Sequence, residues 1–201
     1  MKKILIATGN PGKKKEIKEA LAKVKFDWLS LKDFPEITDE PAEDGDSFEA
    51  NAIIKAEYYG SKTGQCTIAE DSGLILSAFP DRFGLKTKRE IQAKTDIDWL
   101  RLFLDIVEPQ TDRKATFYSA FAIYDPVSKK SMSFLGTTTG EIVDFPAAPI
   151  EKGIPVSAVF CPDGEIDVYS AMSKKKKTIV SHRGKAAKKL IAYLKTMHVS
   201  S

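Results

Sequence analysis

Apolar positions along the chain alternate between strand-like and helix-like spacing. Residues 2–8 hold Ile4, Leu5, Ile6 and Ala7 in succession, the pattern of a strand buried on both faces. Over residues 12–24, Ile17, Ala20, Leu21 and Val24 recur at helical spacing. Residues 26–31 read as a second strand and residues 35–44 as an acidic loop. A helix over 47–61 puts Phe48, Ala52, Ala56 and Tyr59 on one apolar face, with Asp46 as expected N-cap and Glu49 as its capping-box partner. Residues 66–69 form a short strand, closed by the polar loop Glu70-Asp71-Ser72-Gly73. A third helix is expected over 96–107, with Ile97, Leu100, Leu104 and Val107 in register. Two alternating strands over 115–124 and 132–143 flank a hairpin loop at 125–130. Residues 144–165 are rich in proline and loop-like, and a last helix over 184–197 turns Ala187, Leu190, Ile191 and Leu194 inward. The succession predicts an α/β fold, with a mixed sheet because of the antiparallel pair.

Composition narrows the function classes. The 201 residues fit a single domain over 1–201, and 42% hydrophobic content can build a core without staples. Thirty-one basic residues against 28 acidic ones leave a net charge of only +3, which argues against a general nucleic-acid binder. Cys66 and Cys161 are far apart and match no metal-ligand spacing. The N-terminal apolar stretch is too short for a signal peptide, and no run nears the roughly 20 apolar residues that cross a bilayer. A reduced, cytoplasmic protein with no membrane partner is expected.

Four segments could carry chemistry. Lys13, Lys14 and Lys15 open the first helix after the loop Thr8-Gly9-Asn10-Pro11-Gly12. Cations are disfavoured at a helix N-terminus, so their presence points to an anion, with phosphate the common case. The plain alternative is an ordinary strand-to-helix turn with solvated lysines. Lys55 falls inside the apolar stripe of the second helix, one turn after Asn51, and either snorkels to solvent or faces a cleft. Glu70 and Asp71 stand at the expected end of a strand, where open α/β sheets bind ligands and carboxylates hold hard cations. The alternative there is a turn in which Gly73 supplies a positive φ. Ser181, His182 and Arg183 open the last helix after the lysine run 174–177, which reads as a solvated face or loop. Ser181 as a simple N-cap and His182 as a surface histidine remain open.

Taken in order, Thr8-Gly9-Asn10 with Lys13, Glu43-x-Gly45-x-Ser47-Phe48, Asn51-Ala52 with Lys55-Ala56, Glu70-Asp71-Ser72-Gly73-Leu74 and Ser181-His182-Arg183 resemble the noncanonical purine nucleoside triphosphate pyrophosphatases, the inosine triphosphatase family. The resemblance spans residues 4–194. It implies an elongated mixed β-sheet flanked by helices, with two lobes around a central substrate cleft, in a homodimer. It implies a house-cleaning hydrolase that cleaves ITP, dITP or XTP between the α- and β-phosphates with Mg2+. By position, Thr8, Asn10, Lys13 and Lys55 would hold the triphosphate, and Asn51 and Ser72 fall on motif positions of the substrate site. Glu43, Asp71 and Glu70 would hold or organise the metal, and Asp71 would direct the attacking water, with Lys13 and Lys55 as its catalytic partners. Lys177, Ser181, His182 and Arg183 would meet the purine.

The resemblance breaks where the family reads aromatic-Gly-aromatic-Asp-Pro-x-Phe. Here the segment is Ile154-Pro155-Val156-Ser157-Ala158-Val159-Phe160, so Ile154 replaces the stacking ring, Ser157 the aspartate, and only Phe160 persists. A family stretch Pro-Gly-x-Tyr-Ser-Ala-Arg also departs, as Pro80-Asp81-Arg82-Phe83-Gly84-Leu85-Lys86. Phosphate and metal chemistry therefore look retained and base recognition rebuilt. The alternatives are the same chemistry on another modified nucleotide, or a nucleotide-binding module without turnover.

Overall fold

In the computed structural model, which describes residues 3–86 and 90–199 without the side chains of Lys86, His198 and Val199, the chain opens on β1 (Lys3–Ala7) and α1 (Pro11–Ala20). Then come β2 (Asp27–Ser30), α2 (Phe48–Thr63), β3 (Cys66–Leu76) and α3 (Asp96–Val107). The long hairpin β4 (Lys114–Asp125) and β5 (Lys130–Ile142) leads to the short β6 (Phe160–Pro162), α4 (Lys174–Val180) and α5 (His182–Val199). One six-stranded sheet results, in the order β2-β1-β3-β4-β5-β6. β1 runs parallel to β2 and β3, and the remaining pairs are antiparallel.

Strand alternation sorts the core into two faces. Ile4, Ile6, Ile68, Phe121 and Ile123 pack against Ile17 and Leu21 on one side, with Leu190 and Leu194 of α5. Leu5, Ala7, Ala69, Ala120 and Ala122 face the other way, onto Phe48, Ala52, Ala56 and Tyr59 of α2. The run of alanines lets α2 lie close to the sheet. A third cluster surrounds the far ends of β3 and β4, where Leu74, Leu76 and Ala115 meet Leu100, Phe103 and Val107 of α3 with Phe160 and Tyr169. The long strands thus run through two lobes, with α1, α2 and α5 on the first and α3 on the second.

β3 differs from expectation in a way that decides the site. Glu70–Gly73 is no loop: β3 runs on to Leu76, and Glu70, Asp71, Ser72 and Gly73 pair with Phe121, Ala120, Ser119 and Tyr118 of β4. Gly73 has no positive φ; a Cβ there would sit 2.5 Å from the Gly84 carbonyl and 2.7 Å from the Phe48 ring. β1, however, stops at Ala7 opposite Ala69. Glu70 and Asp71 are therefore the first residues of β3 without a parallel neighbour, and groups from both layers can reach them.

Other boundaries shift for local reasons. The expected strand over 2–8 is β1, with residue 2 outside the described residues. Ser47, not Asp46, caps α2, its Oγ accepting from the Ala50 amide at 3.1 Å. α1 ends at Ala20, though Leu21 and Val24 are buried in turns beyond it. Residues 174–177 are helical in α4, capped by Ser173, whose Oγ accepts the Lys176 amide, with Lys176 and Lys177 paired to Glu165 and Glu16. The proline-rich stretch holds β6, and the last helix begins at His182.

Candidate active site

α2 and the loop before it assemble one half of the site. Asn51, buried, accepts the Gly45 amide on Oδ1 at 2.9 Å and donates from Nδ2 to Asp71 at 3.3 Å. Gly45 is needed for this approach, since a Cβ would lie 2.8 Å from that same Oδ1. The Glu43-x-Gly45-x-Ser47 segment is thereby fastened to the head of α2, with Glu43 over Lys55. Lys55 Nζ stands 2.9 Å from Asp71 and 3.5 Å from Glu43, two carboxylates turned toward one cation. Its side chain keeps only 12% exposure, so it is held against Asp71 and does not snorkel away.

The other half lies across the sheet. Glu70 follows Ile68 onto the α1–α5 face while Asp71 follows Ala69 onto the α2 face, so the two neighbours diverge. Glu70 is fully enclosed, its Oε1 accepting from Ser119 Oγ at 2.8 Å and Arg183 Nε at 3.1 Å, with Lys13 Nζ 3.2 Å from Oε2. Arg183 also donates to Ser72 Oγ at 3.0 Å and to Glu16. Glu16 pairs with Lys177 at 2.6 Å, and Lys177 reaches Glu151 at 3.4 Å. Carboxylates and cations alternate along this chain from Glu151 to Lys13, so each buried charge has an opposite neighbour. Burial pushes the Glu70 carboxyl up, but Arg183 and Lys13, with Ser119 and the more distant Lys55, outweigh it and hold it far below the usual range.

His182 lies behind this network. Its ring stacks on Phe117 at 4.6 Å with planes 10° apart, and neighbours Tyr169 at 5.8 Å. Burial, followed by the Arg183 charge, depresses its pKa well below the ordinary imidazole value, so the ring is neutral. Its Nδ1 is buried without a hydrogen-bond partner. Ser181 ends α4 and accepts the Gly184 amide at 3.1 Å, as its expected capping role requires.

Most of the expected residues are linked through the carboxylates of β3, and Thr8, Asn10 and Phe160 stand apart. Thr8 and Asn10 lie at the head of α1, where the Asn10 amide N–H donates to Thr8 Oγ1 at 3.3 Å. Phe160 is fully buried against Phe117 and Tyr169, away from the charged groups. The expected trio Glu43, Asp71 and Glu70 is divided by the sheet, and among the described residues no three His, Cys, Asp or Glu side chains could hold a metal by themselves. Of the altered 80–86 stretch, Phe83 is buried beside Phe103 and the Lys86 side chain lies outside the described residues. The structure adds Glu16 and Ser119. Glu16 is readable in principle, three residues after Lys13 on the same helix face.

Ham1 family sequences match the chain over residues 4–193. The chain belongs to the Ham1 family. Its relatives include a dITP/XTP pyrophosphatase from Bacillus cereus, 34% identical over 94% of this chain and 93% of that protein. Another, from Oceanobacillus iheyensis, is 33% identical over 98% of this chain and all of its own length. The solved structure of a HAM1 protein from Coxiella burnetii superimposes with a TM-score of 0.82 at 26% identity, covering 98% of this chain and 100% of that one. The mixed sheet and its flanking helices are thus those of Ham1 proteins, as the resemblance implied. Among the described residues of this Ham1 protein no helix is long and apolar enough to cross a membrane.

Proposed function

We propose that this protein hydrolyses noncanonical purine nucleoside triphosphates, dITP, XTP and ITP, to the monophosphate and pyrophosphate. Relatives named dITP/XTP pyrophosphatases, matched over nearly their whole length, support the reaction class. The observation that carries it here is that Lys13 and Lys55, from opposite layers, pair with the adjacent carboxylates Glu70 and Asp71 of β3 just past the point where β1 ends. Such a place offers cations to polyphosphate oxygens and a base to water, and leaves no covalent step for the protein.

In this reading Lys13, Lys55 and Thr8 hold phosphate oxygens, and Asp71 orients a water for in-line attack on the α-phosphorus. The water oxygen bonds to phosphorus, its proton passes to Asp71, and the bond to the β-phosphate breaks to release pyrophosphate. Glu43 and Asp71 would hold a divalent cation, Mg2+ in this proposal. Their donors are all oxygen, both lie within 3.5 Å of one Lys55 nitrogen, and a hard cation commonly takes one or two carboxylates plus phosphate oxygens. When bound, the cation neutralises charge on the phosphates. Lys177 meets the purine edge in this reading, backed by the buried Ser181, His182 and Arg183. A homodimer, implied by the resemblance, belongs to the same proposal and is read by analytical ultracentrifugation.

The test is pyrophosphate release from dITP, XTP, ITP and the ordinary nucleotides, with Mg2+ and with a chelator. Release from the first three, lost on chelation, is expected. Folded protein that binds nucleotide without releasing pyrophosphate would establish the binding-module alternative instead.

Base preference carries its own prediction. Ser157 is buried in the 3-10 turn Pro155–Ala158, and Ile154 just before it packs on Gly12 of α1. Neither supplies the ring or the carboxylate of the family pattern. Ser157→Asp is expected to change the ratio of kcat/KM between dITP and dGTP by about tenfold, the scale of one polar contact to a base edge. An unchanged ratio across the nucleotide panel would show that this position does not face the base.

A further inference from the structure

The segment Lys152-Gly153-Ile154 crosses from the second lobe onto the head of α1, closely enough that a Cβ on Gly12 would lie 2.4 Å from the Lys152 carbonyl. Gly153 is held from both sides. Its N–H donates to Asp96 Oδ2 at 2.8 Å, and its carbonyl accepts from Asn10 Nδ2 at 3.0 Å. Asn10 Oδ1 in turn accepts the Lys13 amide at 3.0 Å. The Asn10 amide can face only one way, because the Lys13 N–H only donates and the Gly153 carbonyl only accepts. Gly153 itself has φ +79°, and a Cβ would sit 2.6 Å from Asn10 Oδ1. No side chain fits there.

We propose that the Gly153 backbone is a clasp between the two lobes, with Asp96 as the positioning residue that fastens it to the phosphate loop. Asp96 opens α3, whose Leu100, Phe103 and Val107 are anchored in the second lobe. It is not needed as a helix cap, since Thr95 Oγ1 accepts the Asp98 amide at 3.1 Å. The N–H and carbonyl of Gly153 belong to successive peptide groups, so Asp96 acts by fixing the backbone at Gly153, which aims the carbonyl at Asn10, and Asn10 in turn holds the Lys13 amide. Asn10, expected to touch the triphosphate, has both ends of its amide occupied within the protein and acts by setting the start of α1. Lys15 and Lys177 support the same segment through Glu151, at 3.9 and 3.4 Å.

The proposal rests on the nucleotide reading above, for which a closed clasp presents Lys13 and the rebuilt segment to one ligand. Without Asp96 the nucleotide must order the segment as it binds, so binding weakens while the chemical step is kept. Two variants test it, Asp96→Ala and Asp96→Asn, the latter retaining a neutral acceptor for the Gly153 N–H. In pyrophosphate release from dITP, Asp96→Ala should raise KM at least tenfold with kcat within about threefold, and Asp96→Asn should fall between it and the wild type. Amide hydrogen exchange over residues 8–15 should speed up in Asp96→Ala and recover in Asp96→Asn. Unchanged KM with only a lowered Tm, or an asparagine variant as impaired as the alanine one, overturns the clasp. If the wild-type protein turns over no nucleotide, the nucleotide reading fails and exchange alone judges the clasp: acceleration with recovery upholds it, and unaltered exchange overturns it.

Discussion

Asp71→Asn is expected to lower kcat for dITP at least about a hundredfold, as loss of a positioned base commonly does, while moving Tm little. The substitution is isosteric, so the strand and its pairing with Ala120 persist. The single amide oxygen can accept from Asn51 or from Lys55 but not from both, and the NH2 group then faces the other donor. The basicity needed to take a proton from water is lost outright. Stability suffers less because Lys55 keeps Glu43 at 3.5 Å, so no buried cation is left alone. The expected change is about 1 kcal/mol, the net worth of a typical hydrogen bond. Steady-state pyrophosphate release and thermal denaturation on the same preparation check both halves. A kcat within tenfold of wild type would remove Asp71 from the reaction.

Much of this arrangement is legible in the amino-acid sequence. α3 falls on the expected residues, with Leu100 and Val107 buried but Ile97 exposed, and the apolar face of α2 is buried as its periodicity requires. Local spacing governs such elements. The departures share another cause, that the deciding partner is distant in the chain. Glu70-Asp71-Ser72-Gly73 looks like a turn because strands seldom carry that sequence. It stays extended because β4 pairs with it throughout and the missing β1 neighbour opens room for its carboxylates. The lysine run 174–177 is solvated at Lys174 and Lys175 as expected, but it is helical, and Lys177 is drawn in by Glu16. Ser119 and Asp96 carry no visible signal, since Glu70 lies 49 residues from the first and Gly153 lies 57 from the second. Site residues at helix starts are readable from motif order, whereas those that tie the lobes together are not.

Arg183→Met should destabilise the protein by about 3–5 kcal/mol at neutral pH, the usual consequence of removing one partner from a buried charge pair. Arg183 is only 4% exposed and binds Glu70, Glu16 and Ser72 from one side chain. Methionine fills similar volume but leaves both carboxylates short of a cation, and Lys13 and Lys177 must then serve alone. The pH dependence identifies the cause. Burial raises the Glu16 and Glu70 carboxyls, and Arg183 with the neighbouring lysines holds both below their ordinary value of 4.5. Groups with depressed folded values stabilise fully above the unfolded value, and that contribution is lost as pH falls below it. In Arg183→Met burial has less opposition, so both groups take up protons at higher pH and the variant loses less stability on acidification. The gap between the two proteins in denaturant unfolding should therefore be widest near pH 7 and narrow below about pH 4.5. A gap that stays constant with pH would mean that lost packing, not an uncompensated pair of carboxylates, explains the effect. Arg183 would then bear on the fold through its shape alone, and the charge chain from Glu151 to Lys13 would not depend on it.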